Sequence, residues 1–168
     1  MARIVVLSDI HLSPTHGFFW ENWCVARESA DAAKADAVIV NGDLAINGPD
    51  SEVEIAFAAS ALGYLHTRVM ALPGNHDVGD EPPGQDPDQI IDADRLARWD
   101  SSFATDRWAL DAGGWRLIGV STRSFSARAW RGNTHKISGS TRSCVPPGGA
   151  PRCSCTSLSS SNVQPTMS

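Results

Sequence analysis

The sequence predicts an α/β fold built on a parallel sheet. Short apolar runs at 4–7, 37–40 and 69–72 read as buried strands. Helix-compatible segments fall between them, and β-α-β-α-β alternation implies parallel strands joined by right-handed crossovers. Each run also ends in polar residues that can ligate metal. These are Ser8-Asp9-Ile10-His11, Asn41-Gly42-Asp43 and Pro73-Gly74-Asn75-His76-Asp77. In open α/β sheets, ligands bind beyond the carboxyl ends of the strands.

Taken in order, residues 3–8 form the first strand. His11 to Trp23 is a loop rich in His, Pro, Gly and aromatics, among them His16, Phe18, Phe19 and Trp20. Aromatics beyond a metal motif can line a substrate cleft; packing of the loop onto the core is the favoured reading. An Ala-rich helix spans 23–34, and the second strand spans 37–41. Asn47-Gly48-Pro49-Asp50 is a turn. Ser51-x-x-Glu54 has the capping-box pattern and opens a helix. That helix places Ile55, Ala58, Ala59, Leu62 and Leu65 on one face. The third strand is 68–72. Asp77 to Asp88 is a polar loop with three prolines, a type that is often a lid or disordered. A helix covers 92–103. Trp108–Asp111 and Trp115–Val120 form a hairpin across Gly113-Gly114. After Ser121 no helical or strand period survives. Residues 1–121 are thus expected to be the folded portion, and 122–168 a low-complexity, disordered tail.

At 168 residues the chain suffices for one domain with a sizeable core. Its hydrophobic content of 42% is ordinary for a globular protein. No run is long enough to span a membrane, and no signal peptide is expected. Of the cysteines, Cys24 stands alone, while Cys144, Cys153 and Cys155 fall in the tail. Cys153-x-Cys155 has no second pair at zinc spacing, so a reducing, cytoplasmic setting is expected. The net charge of −5 is split. Residues 1–120 hold 8 basic and all 19 acidic residues, a net of −11; residues 121–168 hold 6 basic residues and no acid. An acidic body argues against nucleic acid as a partner.

The polar strand ends carry the chemistry. Asp9 and His11 are i and i+2, so in extended chain both point to one side and can reach one cation. Asp43 adds a carboxylate able to bridge two metals, and Asn75 adds a neutral carbonyl oxygen. Mixed O/N ligands without thiolate suit Mn, Fe or Zn. His16 matches no motif position, His66 ends a helix where it can interact with carbonyls, and His135 lies in the tail.

Asp9-x-His11, Gly42-Asp43 and Gly74-Asn75-His76-Asp77, in this order, resemble the calcineurin-like metallophosphoesterase family over residues 3–121. The trio is similar to the cyclic-nucleotide phosphodiesterase-like branch, although nuclease-like members share it. The resemblance implies an αββα sandwich and two divalent metal ions, with Asp9, His11, Asp43 and Asn75 among their ligands. It implies a phosphoester hydrolase, phosphodiesterase or phosphatase, acting on a small-molecule substrate. Two metals would clamp the phosphoryl group and generate hydroxide for in-line attack. His76 would protonate the leaving alkoxide or stabilise phosphate charge, with Asp77 a candidate to orient it.

The family pattern continues with a His after a later strand and then Gly-His-x-His, and this sequence has neither. The sandwich is therefore expected to be truncated, with apolar surface exposed. The chain is expected to be weak or inactive, or a non-catalytic binding protein. A frameshift hypothesis accounts for the tail. Joining the third base of each codon to the next two, Cys153 to Asn162 permits an apolar strand running into a His. Coding DNA whose alternative frame lacks those codons eliminates the idea.

Overall fold

The computed structural model describes residues 1–84 and 86–123. The expected tail, with Cys144, Cys153, Cys155, His135 and the frameshift hypothesis, lies outside the described residues.

Three parallel strands form the central sheet in the order β1 (Ile4–Leu7), β2 (Ala37–Asn41), β3 (Arg68–Leu72). Between them run α1 (Trp20–Ala32) and α2 (Glu52–Leu62). Beyond β3 come a single turn, α3 (Asn75–Val78), then α4 (Ala93–Phe103) and an antiparallel hairpin of β4 (Arg107–Ala112) and β5 (Trp115–Val120). The α/β class and the parallel sheet agree with the sequence reading and with a calcineurin-like fold.

Register explains which face is buried. Val5, Val38 and Val69 lie side by side, as do Leu7, Val40 and Ala71. Both rows join the core with Leu12, Trp23, Ala30, Leu44, Ala58 and Leu62. Full burial of a valine or leucine side chain contributes roughly 1.5–3 kcal/mol. Val6, Ile39 and Met70 form a row on the other face, where Val6 is 59% exposed. Trp115, Ile118 and Val120 are exposed as well. Among the described residues, apolar surface is thus open.

Local chemistry explains the element ends. Ser51 caps α2, its hydroxyl oxygen accepting the Glu54 N–H at 3.4 Å. The reciprocal half of the expected capping box is absent. The Ser51 N–H goes to the Gly48 carbonyl at 3.3 Å, and the Glu54 carboxylate turns elsewhere. Ser51→Ala is expected to cost about 0.5–1 kcal/mol, the low end for a cap because this bond is long. A urea midpoint equal to that of the wild type would show that the cap does not stabilise α2. Asp92 caps α4, accepting the Arg95 N–H at 2.8 Å. Gly113 and Gly114 both have positive φ, +58° and +85°, which a two-residue hairpin turn matched to strand twist requires.

Some boundaries differ from expectation. β1 is 4–7, not 3–8. α1 starts at Trp20, after a 3-10 turn at Gly17–Phe19, and ends at Ala32. The proline loop begins two residues late because Asp77 and Val78 belong to α3. Its ends are tied by Asp80 N–H to Gln89 C=O and Ile91 N–H to Asp80 C=O, each 2.8 Å. His66 meets no helix carbonyl. Its Nδ1 lies 3.1 Å from Asp31 Oδ2 on α1, and the bond holds the Asp31 carboxyl below its usual range.

Candidate metal centre

The segments that follow β1 and β2 continue side by side past the sheet. Asp9 N–H donates to Gly42 C=O (3.2 Å), His11 N–H to Asp43 C=O (3.0 Å) and Leu12 N–H to Leu44 C=O (2.7 Å). These bonds carry Asp9, His11 and Asp43 to one place. They also correct the extended geometry expected for Asp9 and His11. Asp9 (φ +56°), His11 (+44°) and Asp43 (+56°) all lie in the left-handed region. A non-glycine residue there costs about 1–2 kcal/mol, although Asp and His tolerate it better than most. Strain of this kind persists where surrounding structure over-determines it, and it collects at functional sites.

The three side chains each offer an atom within 4.8 Å of the others. His11 Nε2 is 3.9 Å from Asp9 Oδ1. Asp43 is buried at 9% exposure, whereas the Asp9 side chain is 62% exposed. The cluster is therefore anchored at its base and open at its rim. Two carboxylates and an imidazole, without thiolate, fit a hard or borderline divalent cation. His11 is already oriented for that role. Its Nδ1 lies 3.3 Å from the Ala45 carbonyl, so Nδ1–H can donate there and leave Nε2 as the free nitrogen.

Glycine makes room for the third motif. A Cβ on Gly74 would overlap Asp43 Oδ1 and lie 2.5 Å from the Asp43 nitrogen. A Cβ on Gly42 would meet Gly74 Cα at 3.1 Å, and Gly42 also has φ +86°. The two loops thus touch backbone to backbone. Asn75 then opens α3, and the next N–H, of His76, donates to Asp43 Oδ1 at 3.1 Å. The His76 ring stands edge-on to that of His11, with centroids 4.7 Å apart. Its Nδ1 is 2.7 Å from the Ile46 carbonyl, which directs Nε2 outward.

Asp77 does not orient His76. It is 1% exposed, and its Oδ1 accepts the N–H groups of Leu44 and Ala45, each at 2.9 Å. Its Oδ2 accepts the Gly74 N–H at 2.8 Å. The carboxylate staples the loop after β2 to the loop after β3. Burial pushes the Asp77 carboxyl up to about 7; the bonds from Gly74 and Ala45 oppose the rise, the Asp43 charge adds to it, and the Leu44 bond opposes it.

The aromatic loop contributes both to the core and to the surface beside the site. Trp23 is 1% exposed and packs in the core, while Phe18 is 78% exposed. Phe19 lies against the His11 ring at 5.6 Å, and His16 stacks on Phe18 at 6.1 Å. His16 Nδ1 is 2.9 Å from the Thr15 hydroxyl, and His16 is absent from the ligand cluster. The carbonyls of Ala45 and Ile46, which aim the two histidines, left no mark in the sequence, because any residue type supplies a carbonyl. Gly74 was legible as a turn and not as a close contact.

The model of the calcineurin-like phosphoesterase family matches residues 2–141. The match spans every motif above and continues past Ser121, where the motif-based resemblance ends. No curated protein matches the sequence.

Proposed function

Since the chain belongs to the calcineurin-like phosphoesterase family, a family of metal-dependent hydrolases, we propose that it acts on small phosphoesters at the Asp9–His11–Asp43 cluster. The reading has Asp9, His11, Asp43 and Asn75 holding divalent cations and His76 facing the substrate. The observation that carries it is the convergence of ligand atoms from two strand ends, with the His76 N–H on the same Asp43 carboxylate. The cellular setting would be cytoplasmic; no helix among the described residues is long and apolar enough to cross a membrane.

Bound divalent cations would supply charge neutralisation at the phosphoryl oxygens and a more acidic water. The chain's own residues do the rest. Ala45 and Ile46 hold the two imidazoles by Nδ1, which leaves Nε2 of each as the nitrogen not held by backbone. Protonated His76 can donate from Nε2 to a phosphate oxygen or to the leaving alkoxide. Asp43 stays fixed because its backbone carbonyl and its side chain are both engaged.

Catalytic strength is a separate matter. The histidines of the sequence are His11, His16, His66, His76 and His135, and none forms the Gly-His-x-His of the family pattern. A dinuclear centre built from the ligands of these 168 residues alone should lose far more than the roughly 10–100-fold typical of an outer-shell change. The favoured reading is therefore weak turnover. The competing one, a non-catalytic protein that binds one cation, draws on the same missing ligands. Calorimetric titration of the chain with Mn²⁺ is expected to give one site, lost in Asp43→Asn, with phosphodiester turnover near background. Brisk turnover abolished by Asp43→Asn would overturn the weak-activity reading. Unchanged Mn²⁺ binding in Asp43→Asn would remove the site itself.

A further inference from the structure

Glu54 is 6% exposed, and a buried carboxylate needs partners. It sits at the third position of α2, where the helix N-terminus favours negative charge. The capping bond its position suggests is not made, because the Ser51 N–H is already held by Gly48. Both carboxylate oxygens are thereby released. Oε1 accepts the Ser13 hydroxyl at 2.7 Å, and Oε2 accepts the Asn47 N–H at 2.5 Å.

These two partners belong to the two loops that set the histidines. Ser13 lies two residues after His11, and its hydroxyl oxygen also accepts the Thr15 N–H at 3.2 Å and the His16 N–H at 3.3 Å. Asn47 lies between Ile46, whose carbonyl holds His76 Nδ1, and Gly48, whose N–H donates to the His76 carbonyl at 2.8 Å. One buried side chain thus fastens the His11 loop to the segment that grips His76 on both sides.

We propose that Glu54 is a positioning residue that sets the His11–His76 pairing from beneath, by hydrogen bonds to Ser13 and Asn47. It is not part of the Asp9–His11–Asp43 ligand cluster. The inference rests on the metal-site reading for its functional meaning, but its geometric content stands without metal.

The test uses the full chain, metal-free and then with Mn²⁺. In metal-free wild type, proton NMR should give a cross-peak between the His11 and His76 rings, and the Asn47 amide should exchange slowly. Glu54→Ala, with far-UV dichroism unchanged, should lose that cross-peak, speed Asn47 exchange and weaken Mn²⁺ binding by about 10–100-fold. Glu54→Gln can still accept from Asn47, but its amide can donate to Ser13 only by displacing the Thr15 or His16 N–H, so it should keep the Asn47 protection and part of the cross-peak and lose less Mn²⁺ affinity than Glu54→Ala. Ser13→Ala cuts one arm and should weaken the cross-peak while Asn47 stays protected. A folded Glu54→Ala that keeps the cross-peak and the Asn47 protection overturns the proposal. If Glu54→Ala does not fold, an unaltered Ser13→Ala cross-peak overturns it. If wild type binds no Mn²⁺ while Glu54→Ala or Ser13→Ala loses the cross-peak, the positioning role stands and the metal reading fails.

Discussion

Asp77→Ala is expected to lower the free energy of unfolding by about 3–5 kcal/mol. The carboxylate is 1% exposed and holds three backbone N–H groups, those of Leu44, Ala45 and Gly74. Truncation leaves the Leu44 and Ala45 N–H groups buried without this partner and the half-buried Gly74 N–H without it as well, and each buried group costs about 1–3 kcal/mol before water enters the gap. A domain is stable by only about 5–15 kcal/mol, so the loss is a large fraction of the total. Asp77→Asn separates bonding from mere filling of space. Its carbonyl oxygen can serve Leu44 and Ala45, while its amide would present N–H to the Gly74 N–H. An intermediate loss of about 2 kcal/mol is expected for it. Equilibrium unfolding in urea should rank wild type above Asn and Asn above Ala. An alanine variant within about 1 kcal/mol of wild type would mean that the staple does not hold the two loops.

Gly74→Ala is expected to abolish cation binding, weakening it by at least about 100-fold, with a stability loss of about 1–3 kcal/mol. The reason is contact, not torsion. Gly74 has φ −98°, which alanine adopts freely. The added methyl would overlap Asp43 Oδ1 and press on the Asp43 nitrogen, so either the ligand or the loop must move. Gly42→Ala differs in kind, because φ +86° penalises any Cβ there even where space allows. Calorimetry with Mn²⁺ on folded Gly74→Ala checks the claim. Binding of wild-type strength would show that Asp43 can retreat without cost, and that the backbone contact between the two loops is incidental.

Much of the fold was legible because its signals are local. Apolar runs of strand length, the Ser51 cap and the Gly113-Gly114 turn each depend on neighbouring residues. All three parallel strands, the four-strand-residue core of β1 and the hairpin follow from them. Boundaries slipped where local pattern is weak. The 3-10 turn before α1 hides its true start, and α3 is too short to show a period. The candidate site was legible to the same extent. Asp9, His11 and Asp43 converge as the motif order implies. Their backbone conformation was misread, since alternation in extended chain cannot foresee left-handed residues.

By itself the sequence determined the order of strands and helices, the ligand-type residues at strand ends and the family. These are written in residue identity and spacing. Tertiary structure alone decided how the site is held. Asp77 serves three amides instead of His76, Glu54 leaves its cap for Ser13 and Asn47, and His66 pairs with Asp31. The carbonyls of Ala45 and Ile46 reach histidines 34 and 30 residues away. A carboxylate or carbonyl accepts whichever donor the packed chain brings within about 3 Å, and that choice belongs to the assembled loops.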